Sequence, residues 1–145
     1  MGDTCAFLTS DHRHCDQLFA AAERAAAQPD WAACVTQFSQ FRNAVEQHFA
    51  REEELLFPAF EEATGMRAGP TVVMRGEHDE VRELLRDMQA AVESQDATGF
   101  LGLSDTLLIM LQQHNLKEEN MLYPMAERAL PGIGRELIER MEQAG

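Results

Sequence analysis

The sequence is short of positive charge: 12 basic residues stand against 25 acidic ones, a formal net charge of −13 over 145 residues. Surfaces that bind nucleic acid or anionic lipid need basic patches, so neither partner is expected. No apolar run approaches the roughly 20 residues needed to span a bilayer. The opening "MGDTCAFLTSDHRHC" lacks a basic stretch followed by an apolar one, and no signal peptide is expected. Cys5, Cys15 and Cys34 are odd in number and show no CxxC spacing. They read as buried thiols in a reducing cytoplasm, not as a disulfide framework. Alternating apolar and polar residues are almost absent, which excludes a β fold. No Ser-His-Asp, Cys-His or HExxH arrangement is legible.

What is present is Ala-, Leu-, Glu- and Gln-rich sequence broken by turn signals. Pro29 and Asp30 mark one break, with Asp30 the expected N-cap of a helix starting near Trp31. "TGMRAGP" (64–70), "SQDATG" (94–99) and "LPGIG" (130–134) mark three more. The reading is all-α: an up-down-up-down four-helix bundle over about 4–128, a short C-terminal helix over about 133–143, and one domain. Steps of three and four give one apolar row per helix. The first row is Cys5, Leu8, His12, Cys15, Phe19, Ala22, Ala26, and the third is Thr71, Met74, His78, Val81, Leu85, Met88, Val92. The second is Cys34, Phe38, Phe41, Val45, His48, Glu52, Leu55, Ala59, and the fourth is Phe100, Ser104, Leu107, Leu111, His114, Glu118, Met121, Met125. Rows one and three, and rows two and four, are offset by 66 at every position. The chain thus reads as a duplicated helical hairpin.

The polar exceptions fall in matching places. A carboxylate facing a bundle core is costly unless it is paired or bound to a cation. No lysine lies on these rows to neutralise Glu52 and Glu118. His48 with Glu52, and His114 with Glu118, project from one helical face at i and i+4. At about 1.5 Å rise per residue, His78 comes nearly level with His114, and His12 falls within about one helical turn of His48. Four histidines and two glutamates are too many for one tetrahedral zinc. They suit two metal ions sharing the carboxylates, iron or manganese by donor type, with zinc also accepting this set. The ExxH spacing of ferritin-like sites is absent, since Thr9, Val45, Arg75 and Leu111 stand three residues before the histidines. His14 leaves the apolar row and reads as a solvated surface residue. Glu53 and Glu119 rotate off the row and read as solvated, or as hydrogen-bonding to a ligand. Tyr123 is assigned to packing, with a hydroxyl near the cavity as the alternative. Met74, Met88, Met121 and Met125 read as core filler, and Pro58 and Pro124 as residues that kink or end the ligand helices.

"DHRHCDQLFAAAE", "HFAREEELLFP", "EHDEVRELL" and "HNLKEENMLYP" together resemble the motifs of hemerythrin-like, or HHE cation-binding, domains over about residues 8 to 128. The resemblance implies a four-helix bundle holding two iron ions, oxo- or hydroxo-bridged. Carried over by motif, the ligands are His12, His48, Glu52, His78, His114 and Glu118. Oxygen-carrying hemerythrins place a further histidine one turn from the third-helix ligand, where this chain has Met74 and Arg82. The implied site therefore has an open iron position, and dioxygen or nitric oxide is the expected small partner, for sensing, storage or stress response. The alternative is a redox enzyme acting on peroxide or nitric oxide, or repairing iron centres. Repair members of the family usually carry an additional cysteine-containing N-terminal domain. A third reading is a helical interaction module with a structural metal. The expectation leans toward a binding protein.

Overall fold

Asp30 and Asp96, 66 residues apart, start the second and fourth helices in the same way. The Asp30 carboxylate accepts a hydrogen bond from the Ala33 N–H (3.2 Å), and Asp96 accepts one from the Gly99 N–H (2.9 Å). Such caps satisfy an N–H that the helix cannot, and are each worth about 1 kcal/mol. The computed structural model describes residues 3–131 and 134–143. Helix α1 covers Asp3–Ala27, α2 residues 31–64, α3 Pro70–Glu93, α4 residues 97–129, and α5 Gly134–Gln143. Residue 133, where the C-terminal helix was expected to start, lies outside the described residues. No strand occurs among them, and the chain is all-α.

The helices join through short turns. Gly65, at φ 73°, ends α2 in the left-handed conformation, its N–H bonded to the Glu61 carbonyl. Helix α1 packs against α2 and α4, and α3 against the same two, so the four close into a bundle. Side-chain contacts run antiparallel: Asp11 meets His48 while Cys34 meets Ala22, and Glu53 meets His78 while Glu61 meets Thr71. Helix α5 lies against α1 and the middle of α2, where the Arg51 guanidinium donates to the Met141 carbonyl at 3.1 Å.

The apolar rows of α1 and α3 are buried throughout. In α2 and α4 they hold only as far as the glutamates. There the backbone makes one π-helical turn, at Glu52–Leu56 and again at Glu118–Leu122. The Phe57 N–H bonds to the Glu52 carbonyl, and the Tyr123 N–H to that of Glu118, in i to i+5 spacing. Each turn inserts one residue and rotates the remainder of the helix. Beyond it the buried residues are Leu56, Phe57 and Phe60, and Leu122, Tyr123 and Ala126. The expected continuations are displaced. Leu55, Ala59 and Met125 are only partly buried, and Met121 is 61% exposed, so Met121 is not core filler. Pro58 and Pro124 end neither helix. Each sits in the first turn of the resumed α-helix, where its missing N–H costs nothing.

Two apolar clusters result. One surrounds Phe19, Phe38, Phe41, Leu85 and Phe100, and the other Leu8, Leu56, Phe57, Phe60, Leu122 and Met141. The histidines and glutamates of the rows lie between them.

Candidate metal centre

His78, Glu52 and Glu118 have no exposed surface, and His114, His48 and His12 are 2%, 3% and 4% exposed. Ionisable groups withdrawn this far from water need compensation inside the protein. Their donor atoms form two overlapping sets: His12, His48, Glu52, Glu118 and Glu52, His78, His114, Glu118. Within each set the donor atoms all lie within 4.8 Å of one another, and both carboxylates belong to both sets. All six residues singled out from the sequence are therefore brought together. His14 is exposed, as expected.

The outer nitrogen of every imidazole is occupied. His12 Nδ1 pairs with Glu119 (2.7 Å), His48 Nδ1 with Asp11 (3.0 Å), His78 Nδ1 with Glu53 (2.6 Å) and His114 Nδ1 with Glu77 (2.7 Å). An N–H donated outward to a carboxylate leaves Nε2 as a lone pair pointing inward, the arrangement that orients and strengthens histidine ligands. Glu53 and Glu119 thus take the hydrogen-bonding role that was one of their two expected readings. Asp11 and Glu77 were missed. A signal existed, since each immediately precedes an inward histidine and the two are 66 apart. Basic groups stand behind three of the four acids: Arg51 on Asp11, Lys117 on Glu77, and Arg82 on Glu53.

Inside the ring of histidines, acceptor faces acceptor. His48 Nε2, His78 Nε2, His114 Nε2, Glu52 Oε1 and Glu118 Oε2 are buried without a hydrogen-bond partner. The three Nε2 atoms approach Glu52 Oε1 or Glu118 Oε1 at 3.0 to 3.9 Å without hydrogen-bond alignment. Such orphaned groups are rare in folded proteins. One cation in each donor set would satisfy these atoms, and the residues fit a pair of ions that accept imidazole and carboxylate.

Without an ion, protons must do this work. Burial alone would lower the pKa of His48, but Glu52, Asp11 and Glu118 lift it to about 10. Burial likewise opposes, and Glu118, Glu52 and Glu77 overcome, in His114, which rises to about 9. Burial and the adjacent Glu118 push Glu52 up. Against burial, hydrogen bonds with Glu52 and with His114, His12 and His48 hold Glu118 well below the carboxylate range. Burial raises the Glu53 carboxyl too, yet hydrogen bonds from His78 and Arg82 bring it down to about 2.

Tyr123 corrects the packing assignment. It is buried, but its hydroxyl donates to Glu52 Oε2 at 2.7 Å and lies 3.0 Å from Glu118 Oε1 and 3.2 Å from His12 Nε2. Burial and the two carboxylates raise its pKa well above the usual phenol range. Met74 lies in the apolar cluster below the site and Arg82 pairs with Glu53 and Glu46. Neither position flanking His78 supplies a further nitrogen ligand.

A helical bundle whose midsection gathers histidines and glutamates from all four helices is a metal-binding scaffold. The model of the hemerythrin HHE cation-binding domain matches residues 4–126, and the chain belongs to that family. Curated relatives include the iron–sulfur cluster repair protein YtfE of Edwardsiella ictaluri (strain 93-146), 32% identical over 100 residues. That match takes in 62% of this chain and 45% of the relative. YtfE of Enterobacter sp. (strain 638) is 34% identical over 95 residues, 59% of this chain and 41% of the relative. The chain thus spans less than half the length of these relatives. No solved structure matches. No helix among the described residues is long and apolar enough to cross a membrane.

Proposed function

We propose that the chain is a non-haem di-iron protein in which His12 and His48 hold one ion, His78 and His114 the other, and Glu52 and Glu118 serve both. The observation that carries this reading is the pair of donor sets sharing two carboxylates, with every outer imidazole nitrogen already engaged. When bound, iron supplies an open position for dioxygen or nitric oxide, and the protein's use of that binding is sensing, storage or stress response. The chain's own residues do the rest. Asp11, Glu53, Glu77 and Glu119 fix the imidazole orientation, while Phe49 and Phe57 stack on His78 and keep that side dry. A second reading, iron-centre repair with turnover, is favoured by the relatives' being iron–sulfur cluster repair proteins by name.

Metal analysis with an anaerobic optical spectrum tests the proposal, followed by addition of dioxygen and nitric oxide with and without reductant. Two irons per chain and a reversible spectral change support the binding reading. Multiple turnovers with reductant move the assignment to the second. An iron spectrum indifferent to every addition would leave only a structural metal.

A further inference from the structure

We propose that the two half-sites are unequal by construction, and that the phenolic oxygen of Tyr123 is a further donor to the ion held by His12 and His48. The inference rests on the two-ion reading above and adds to it a ligand that breaks the internal symmetry. At the duplicated position the other half-site has Phe57, whose ring stacks on His78 with centroids 5.7 Å apart. Tyr123 stacks on His12 at the same 5.7 Å, so the rings correspond and the oxygen is the difference. That oxygen lies within 3.2 Å of Glu52 Oε2 and Glu118 Oε1, on the two shared carboxylates, and of His12 Nε2, which belongs to the first set alone. It reaches neither His78 nor His114 among the hydrogen-bonded pairs of the described residues.

Two more positions differ in the same sense. Phe49, stacked on His78 with centroids 3.7 Å apart, corresponds to Asn115. Arg82, which neutralises Glu53, corresponds to Asp16. Asn115, Asp16, Glu119 and the edge of His12 line an open cleft of about 390 Å³. His78 is therefore walled by hydrocarbon and backed by a charge-balanced pair, whereas His12 borders a polar cleft that also carries Arg13. In the His78 half a smaller cavity of about 80 Å³, lined by Glu77, Glu80 and Lys117, reaches His114 instead. A hard oxygen donor favours the ions that carboxylates favour. On coordination the O–H bond breaks, the phenolate oxygen keeps the electron pair, and the proton is released to solvent. No electron is transferred.

The chain contains a single tyrosine, so any phenolate signal has one source. The test loads the full chain with ferric iron, counts iron, and records the visible spectrum and resonance Raman phenolate modes. Wild type should show them, Y123F should bind two ions and lose them, and Y123F/F57Y should regain them from the opposite half. Zinc titration by calorimetry should resolve two steps in wild type whose affinities draw together about tenfold or more in Y123F. Circular dichroism checks that each variant is folded. Two ferric ions in wild type without the phenolate signature overturn the tyrosine assignment and leave the two-ion reading standing. Fewer than two ions in wild type overturn the two-ion reading itself, and this inference with it.

Discussion

The outward hydrogen bonds of the four imidazoles set how tightly the site can hold an ion. In Asp11→Asn or Glu77→Gln the acceptor loses its charge, and the histidine behind it loses both orientation and basicity. Each substitution should weaken metal binding about 10- to 100-fold with little change in helix content. Competition titration against a chromophoric chelator measures this. Protons compete for the same lone pairs. His48 and His114, lifted to about 10 and about 9, must lose protons before an ion can bind. Apparent affinity should therefore climb steadily from neutral pH to about pH 9–10, with proton release visible in calorimetry at different buffer ionisation enthalpies. The metal-free chain responds oppositely. Groups whose pKa is raised on folding stabilise fully below their unfolded value near 6.5 and lose that contribution as pH rises through 9 and 10. Its melting temperature should fall over that range. A flat profile would show that protons do not stand in for the ion.

At the scale of the helix, the sequence made the rows legible down to the two glutamates and no further. Cys34, Phe38, Phe41, Val45, His48 and Glu52 are all buried as read, and the duplicated row of α4 agrees. After Glu52 a regular 3.6-residue period selects Leu55 and Ala59, whereas the molecule buries Leu56, Phe57 and Phe60. Periodicity presumes an unbroken α-helix, and one inserted residue is invisible to it. A trace of the shift was there, because Phe60 is bulkier than the Ala59 that the period selects. Removing Glu54 from the π turn should restore α spacing and leave Leu56 and Phe60 on the row that an unbroken helix buries, so the metal-free protein should lose little in chemical denaturation. Loss of the roughly 1.5–3 kcal/mol that burying each side chain is worth would contradict the one-residue insertion. Asp11 and Glu77 were passed over for a different reason. They stand off the apolar row, each serves a histidine on another helix, and their one trace was the repeated place just before an inward histidine.

Across the whole molecule, the six inward residues and the bundle were readable because a 66-residue repeat set the polar exceptions against an apolar background. The asymmetry was not, since Phe57 and Tyr123 look interchangeable until coordinates show where the hydroxyl points. The duplication also separates two kinds of ligand. Glu118 serves both donor sets, so Glu118→Ala should strip the chain of both ions. His78→Ala touches one set and should leave about half the metal, counted by elemental analysis. Equal losses in the two variants would contradict the shared-carboxylate arrangement.

Neither hairpin owns a finished set: the first needs Glu118 from α4, and the second needs Glu52 from α2. A free-standing ancestor of half this length could complete its binding sites only by docking on a second copy of itself about a twofold axis. In such a pair every position is used twice, and an aromatic next to one histidine must be the same aromatic next to the other. In one polypeptide that constraint is absent, and positions 57 and 123 are free to differ, as Phe57 and Tyr123 do.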